Sequence, residues 1–422
     1  VIPAPDAPAR LMVVRTRLLP SFRGDLLDLL PTPDGVCAWV RDGDGLVGWG
    51  EAARVQTFGA SRYRDAAQWW QQLCARAQVQ DEVGAPGSGL VAFASMAFSD
   101  SPGSSALVVP QVVVGRRHGR TWITEIDAGA GAPGVDAVSA AGPVVPVTAP
   151  RGLHQPAGTD SVVRWRGAVA EAVRRIRGGE LQKVVLARDL HLQAAAPLDS
   201  RYVLARLARS YPQCWTFAVD GLVGATPELL VRLQGEEVSS RVLAGTTWPR
   251  PDSTSAELAA ELLASPKNTS EHRYAVTSLL ESLRSVCTEV QADDVQVLQL
   301  PNVAHLSTTV RARLARSGAG VLELAEALHP TAAVGGTPTS AATALIAELE
   351  DMDRGRYAAP VGWVDAAGNG ELGLALRSAE IAGPRARLFA GGGIVAESDP
   401  DDEVNETDAK LSAVRDALQA EQ

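Results

Sequence analysis

No stretch of this sequence approaches the ~20 consecutive apolar residues that a membrane-spanning helix requires. Its opening, VIPAPDAPARLMVVRTRLLP, contains no apolar block of signal-peptide length. Cysteine is scarce: Cys37, Cys74, Cys214 and Cys287 stand far apart with no CxxC pair. That disfavours both a disulfide framework and a cysteine zinc site. Positive charge is in deficit, with 39 Lys and Arg against 49 Asp and Glu and a formal charge of −10. Nucleic acids and anionic membranes are bound by clustered cations, so the balance speaks against both as general partners. The expectation is a cytoplasmic protein with reduced cysteines. An anionic small substrate would have to be held by local cations or a metal.

What is present is ordinary globular material: 422 residues, 46% hydrophobic and 21% charged. The length admits two or three domains, or one large α/β or β-rich unit. Residues 36–52, VCAWVRDGDGLVGWGEA, predict two strands joined by the turn-forming Asp42-Gly43-Asp44-Gly45. Trp69, Trp70, Leu73 and Cys74 fall at helical spacing and predict a helix over 61–78, followed by strands at 89–98, 106–114 and 121–127. The Ala/Gly/Pro-rich segment 128–152 reads as a linker between an N-terminal half (1–150) and a second region (155–418).

In the second region, Trp165, Val169, Val173 and Ile176 predict a helix that ends at Gly178-Gly179. Strands are expected at 183–187, 215–219, 222–225, 229–233, 238–243, 360–365, 371–379 and 386–390. Helices are expected at 255–264, at 270–287 and from about 401. DGLVGWGE (44–51) and DGLVGATPE (220–228) echo one another, as an internal duplication would. The fold class expected is α+β, with antiparallel sheets carrying helices.

Four charged residues stand in suggestive places. Lys183 opens the apolar run Val184, Val185, Leu186, Ala187, where local grounds suggest only a strand-end lysine reaching water. Glu271 follows Asn268 by three residues, a capping-box spacing. Glu406 and Lys410 are four apart on a helix that Asp399 can cap, which suits an exposed ion pair. Glu228 follows Pro227 at a strand start. These local readings leave the glycine-dense strings HPTAAVGGTP, PVGW and AGGGIVAESDP unexplained. With Arg377 in LALRSAE, they describe a pocket whose backbone N–H groups and guanidinium could receive a carboxylate.

KVVLARD, TPELLVR, LAGTTWPR, SPKNTSEHRY, HLSTTV, HPTAAVGGTPTSAA, YAAPVGW, LRSAE, AGGGIVAESDP and ETDAKL occur in the order found in chorismate-utilising enzymes. Over roughly 160–416 the chain most resembles the isochorismate synthases, and 1–150 resembles their more variable N-terminal part. The resemblance implies large antiparallel sheets flanked by helices around a deep central cleft, one Mg²⁺ ion, and chorismate as substrate. It implies Glu271 and Glu406 as metal ligands bridged to the ring carboxylate, Lys183 as the base activating water at C2, and Glu228 as the acid at the C4 hydroxyl. Lys183 would then have to act as a neutral amine, with its pKa brought from ~10.4 towards ~7–8 by burial. Glu228 would need the opposite shift. By the same matching, Tyr357, Arg377 and the Gly391 backbone, with Gly393 beside it, hold the enolpyruvyl carboxylate. Lys410 assists at the ring carboxylate, and Gly245, Thr246 and His305 line the ring. His272 and His329 are read as structural.

This chain departs from the family pattern at Asn268, where relatives often carry Asp or Glu, and at Ala359, where a glycine is usual. Lys183 favours water over the ammonia used by anthranilate synthases, so no glutaminase subunit is expected, and a monomer is the default. Aminodeoxychorismate synthases keep the lysine but fit the other strings less well. Salicylate synthases, which go on to eliminate pyruvate, are the rival reading. A catalytically silent chorismate-binding protein is a rival of another class. The product would serve menaquinone or siderophore biosynthesis.

Overall fold

The computed structural model describes residues 11–20, 22–101, 103–127, 144–158, 161–248, 254–301, 303–315 and 319–419. Residues 128–143, most of the expected linker, lie outside the described residues. The first stretch runs through β1 (Met12–Leu18), β2 (Cys37–Arg41), β3 (Asp44–Trp49), β4 (Ala53–Phe58), α1 (Arg62–Ala75) and β5 (Ala77–Asp81). It ends with β6 (Val91–Ser95), β7 (Ser104–Val109), β8 (Val112–Arg117) and β9 (Arg120–Asp127). Next come α2 (Val162–Arg177), β10 (Lys183–Gln193), α3 (Ser200–Ser210), β11 (Trp215–Val219), β12 (Leu222–Thr226), β13 (Leu229–Gln234) and β14 (Glu237–Thr247). Helices α4 (Ser255–Ala264) and α5 (Pro266–Arg284) lead into β15 (Cys287–Ala292), β16 (Gln296–Leu300) and β17 (Val303–Leu314). The chain continues through α6 (Val321–Leu328), β18 (Gly336–Thr337), α7 (Thr339–Leu349), β19 (Pro360–Asp365) and β20 (Gly370–Leu374). It closes with β21 (Ser378–Ala382), β22 (Arg385–Ile394) and α8 (Pro400–Leu418).

These strands form two large, almost wholly antiparallel sheets. The first has the order β18-β10-β22-β21-β12-β11-β2-β3-β8-β9-β1-β5, and the second β15-β17-β14-β13-β20-β19-β6-β7-β4 with β16 against β17. Strands from both sides of the linker join in each sheet, through β2·β11 in one and β6·β19 in the other. The division at 128–152 therefore separates stretches of sequence, and both sheets run across it.

The echoing hairpins β2–β3 and β11–β12 lie side by side at the centre of the first sheet. From the β2·β11 pair outward the two flanks match strand for strand, β12/β3, β21/β8, β22/β9 and β10/β1. The second sheet repeats this about β6·β19, with β20/β7 and β13/β4. An internal duplication would leave this arrangement. The match stops at β13, beyond which β14, β17 and β15 extend the second sheet with no counterpart past β4. That unmatched extension, covered by α5, forms one wall of the cleft described below.

The predicted helix over 165–176 is α2, whose Trp165, Val169, Val173 and Ile176 are all buried while Val163 faces solvent. Each such burial contributes about 1.5–3 kcal/mol against exposure. Between the sheets, Trp39, Trp215, Phe217, Phe93 and Trp363 make a shared core, with Trp39 and Trp215 stacked 6.0 Å apart.

Two expected strands prove to be pairs. The run 106–114 is broken at Pro110-Gln111 into β7 and β8, which belong to different sheets. Proline cannot donate to a ladder, so the chain changes sheet there. The run 371–379 is broken into β20 and β21, again in different sheets, and Arg377 in the break has φ +46°. A non-glycine residue in that region is uncommon and costs of order 1–3 kcal/mol, which makes Arg377 a candidate for function before its contacts are considered.

Candidate active site

Lys183, Glu228, Gly245, Thr246, Glu271, His305, Tyr357, Arg377, Gly391, Gly393, Glu406 and Lys410 all line one cavity of 170 Å³. They come from the start of β10, the residue before β13, the ends of β14 and β22, the first turns of α5, the start of β17, the segment before β19, the middle of α8 and the β20–β21 break. Residues more than 200 positions apart converge because β10 and β22 are antiparallel neighbours, which sets Val185 opposite Gly393 and Ala187 opposite Gly391.

Lys183 is directed into the cavity rather than to solvent. Its Nζ donates to Glu271 Oε1 at 2.7 Å. Burial opposes charge on Glu271, but Lys183, then Lys410 and Lys267, hold its carboxyl below the usual range. Glu271 does not close a capping box with Asn268: the N-cap of α5 is Ser265, whose side chain accepts from the Asn268 N–H. Asp399 does cap α8, accepting from the N–H groups of Asp401 and Asp402. The Glu406–Lys410 pair is formed at 2.6 Å, and Lys410 Nζ also donates to the Gly391 carbonyl at 2.9 Å. Each of the two glutamates is thus held by its own lysine.

Glu228 is buried, and burial pushes its carboxyl up to about 8 against the opposing pull of Lys183. It is therefore a proton donor at neutral pH. Arg377 is 7% exposed. Its Nη2 donates to His305 Nε2 at 3.2 Å, while Nη1 has no protein partner among the described residues. Because guanidinium can only donate, His305 carries its proton on Nδ1 and donates it to Thr246 Oγ1, 3.1 Å away. Burial, then Arg377 and Lys410, keep that imidazole neutral. Thr246 is fixed in turn, its N–H donating to Asn268 Oδ1 at 3.2 Å. Asn268 thus holds a β-bulge at Gly245, which has φ +74° and leaves no room for a Cβ beside the Asn268 carbonyl. His272 and His329 have structural partners, Thr308 Oγ1 and the Ala358 carbonyl, and burial lowers both. Ala359 is buried away from the cavity; it is Ala358, at φ +60°, that lines it.

The glycine row 391–393 has one use per residue. A Cβ on Gly391 would lie 3.2 Å from the Tyr357 hydroxyl, one on Gly392 2.7 Å from Glu403 Oε2, and one on Gly393 2.9 Å from Lys183 Cε. Gly393→Ala is therefore expected to displace Lys183 while leaving β22 paired. The expected loss of kcat is at least about ten-fold with Tm nearly unchanged, since small misplacements of reacting groups are costly. Steady-state kinetics beside a melting curve checks this, and normal kcat would mean that the position of Lys183 does not matter.

Glu403 does not stand out in the sequence, where it suits the first turn of α8. In the structure it turns inward. Oε1 accepts from Ser398 Oγ at 2.8 Å, Oε2 is buried without a partner among the described residues, and burial with neighbouring Glu406 pushes the carboxyl up to about 7. Its spacing of three from Glu406 on one helix face is the signal that could have found it. No three His, Cys, Asp or Glu side chains converge as a finished metal site among the described residues. The donors are nonetheless all hard oxygens, and Mg²⁺ commonly takes only one or two protein carboxylates with waters and substrate oxygens. An orphaned carboxylate oxygen beside two lysine-paired carboxylates fits such an ion.

The profile of the family described as "Chorismate binding enzyme" matches residues 143–419. The salicylate biosynthesis isochorismate synthase of Pseudomonas aeruginosa is 36% identical over 401 residues, which are 88% of this chain and 82% of that protein. Isochorismate synthase EntC of Escherichia coli is 40% identical over 253 residues, 58% of this chain and 64% of that protein. The solved structure of MenF, the menaquinone-specific isochorismate synthase from Escherichia coli, superposes with a TM-score of 0.81 at 26% identity, covering 97% of this chain and 95% of that one. Anthranilate synthase component I from Streptococcus pneumoniae shares the fold, with a TM-score of 0.69 at 21% identity over 89% of this chain and 92% of that one. With its family profile matched over most of its length and its two sheets superposing on these enzymes, the chain belongs to the chorismate-binding enzyme family.

Proposed function

We propose that this protein is an isochorismate synthase, converting chorismate to isochorismate by adding water at C2 and expelling the C4 hydroxyl. The observation that carries the reading is the presence of Lys183 and Glu228 in one cavity, the glutamic acid held protonated up to about pH 8. Lys183 takes a proton from the attacking water, and Glu228 gives one to the departing hydroxyl. One water enters and one leaves, so mass is conserved. For Lys183 to act as a base, its bond to Glu271 has to be released.

Arg377 receives the enolpyruvyl carboxylate on its free Nη1, with the Tyr357 hydroxyl and the backbone of Gly391 beside it. His305, fixed by Thr246, keeps the guanidinium aimed. Lys410 lies at the ring carboxylate. Glu271 and Glu406, with Glu403 next to them, would hold one Mg²⁺, whose chemistry here is charge neutralisation of the substrate carboxylate. An acidic protein can thus house a dianion because Lys267, Lys410 and Arg377 face the same cavity. The names of the relatives span menaquinone and salicylate biosynthesis, and we place this enzyme in menaquinone or siderophore formation.

The test is product identification from chorismate with Mg²⁺, with and without EDTA. An isomer of unchanged mass that disappears with EDTA is expected. Stoichiometric pyruvate with salicylate would favour the lyase reading, and tight chorismate binding without conversion would sink the enzyme reading.

A further inference from the structure

A second concentration of charge lies outside the cleft, where β2 and β11 of the first sheet meet β13, β14 and β17 of the second. There Arg41, Arg232, Arg241 and Arg311 line a separate cavity of 340 Å³ walled by Trp215. Four guanidiniums in one cavity are unexpected in a chain with ten more acidic than basic residues.

Carboxylates do not balance them. Arg232 shares Glu371 with Arg117, each at 3.1 Å, and Arg311 pairs with Asp293 at 3.1 Å. Arg41 and Arg241 make no ion pair or side-chain hydrogen bond among the described residues. Both guanidiniums instead lie over the Trp215 ring, 4.4 and 4.6 Å from its centroid. Burial, then the neighbouring guanidinium, lowers both: Arg232 acts on Arg41, and Arg41 on Arg241, which falls to about 10. Like charges drawn together and partly out of water are relieved by an anion between them.

We propose that this cavity binds a small oxodianion, a phosphate monoester or a dicarboxylate, between Arg41 and Arg241. Guanidinium forks match the planar oxygen pairs of both groups, and two unbalanced cations select a dianion over a monoanion. Thr309 and Ser307 on β17 offer hydroxyl donors at the wall. The site is distinct from the cleft yet shares strands with it: Leu229, at this cavity, follows Glu228, and Arg241 stands two residues before Leu243, which lines the cleft.

Titration calorimetry on the full chain at fixed ionic strength, with inorganic phosphate and succinate as probes, tests this. Saturable binding of at least one probe is expected, and which one binds identifies the source chemistry. Arg41→Gln should weaken it at least about ten-fold, the loss expected for one charge-assisted contact. Thr309→Glu, which adds a carboxylate without removing a guanidinium, should do the same. Neither residue lines the cleft, so both variants should keep normal turnover and melting. If one fails to fold, the other decides. Absence of saturable binding at about 10 mM probe, a very weak affinity, overturns the proposal. So does binding that survives both substitutions but is lost in Arg377→Gln, because the anion then sits in the cleft.

Discussion

Lys183→Ala is expected to reduce kcat by about 10²–10⁴-fold, the range for losing a positioned general base, with chorismate binding weakened no more than several-fold. The asymmetry follows from the cavity. On the proposed reading the carboxylates of the substrate are received by Arg377, Tyr357, Lys410 and a cation that Glu271 and Glu406 would hold, whereas Lys183 would act only on the attacking water. The substitution also bares Glu271, whose Oε1 accepts from Nζ at 2.7 Å. Binding should therefore be measured at saturating Mg²⁺, so that the freed carboxylate does not distort the comparison. Single-turnover rates and equilibrium binding together decide the matter. Near-normal turnover would remove the lysine from the mechanism, and a large loss of binding with little loss of kcat would reassign it to substrate capture.

Glu228→Gln should produce a similar fall in kcat, together with a change in stability of opposite sign. The wild-type carboxyl is pushed by burial to about 8, against ~4.3 for an unperturbed glutamate. An acid with a raised folded pKa leaves the fold progressively less stable as pH climbs from its unfolded pKa to its folded one. Below pH 4 the two proteins should differ little on this account. By pH 8 the glutamine variant should be more stable by a few kcal/mol, since every tenfold difference between the folded and unfolded acid constants corresponds to about 1.4 kcal/mol. The pH–rate profile carries the same signature: wild-type kcat/KM should fall above about pH 8 as the acid ionises, and the variant should lack that limb. Melting curves at pH 5 and pH 8 give the first readout, and steady-state kinetics the second. Equal stability at both pH values would mean that Glu228 is not a buried neutral acid.

The regular elements were legible where packing and local chemistry agree. The amphipathic period of α2, the Asp399 cap of α8 and the Asp-Gly turn of the first hairpin each depend on residues within one or two turns of chain. The breaks inside 106–114 and 371–379 were harder to read: Pro110-Gln111 and Arg377-Ser378 interrupt runs that are otherwise largely apolar, but only the tertiary structure shows that their halves belong to different sheets. Glu403 was hidden for a related reason. An acidic residue in the first turn of a helix has a sufficient local explanation, and nothing in the sequence shows that the helix face carrying it is turned into a cavity.

By itself the sequence determined the class of the protein: antiparallel strands with helices, a net negative charge, and the set of side chains available for acid–base and carboxylate chemistry. Those properties are sums over residues or patterns of short range. Tertiary structure alone decided that nine of those side chains, with three glycines, share one cavity, that Lys183 meets Glu271 across 88 positions of sequence, and that Glu228 is removed from water while Lys183 is paired. It also decided that Arg41 and Arg241, 200 positions apart, crowd against one tryptophan without a carboxylate between them. Burial and charge proximity set these properties, and both depend on which strands become neighbours. A lysine at the start of an apolar strand is unexceptional in sequence. Beside three glycines of an adjacent antiparallel strand, it has room to reach into a cleft.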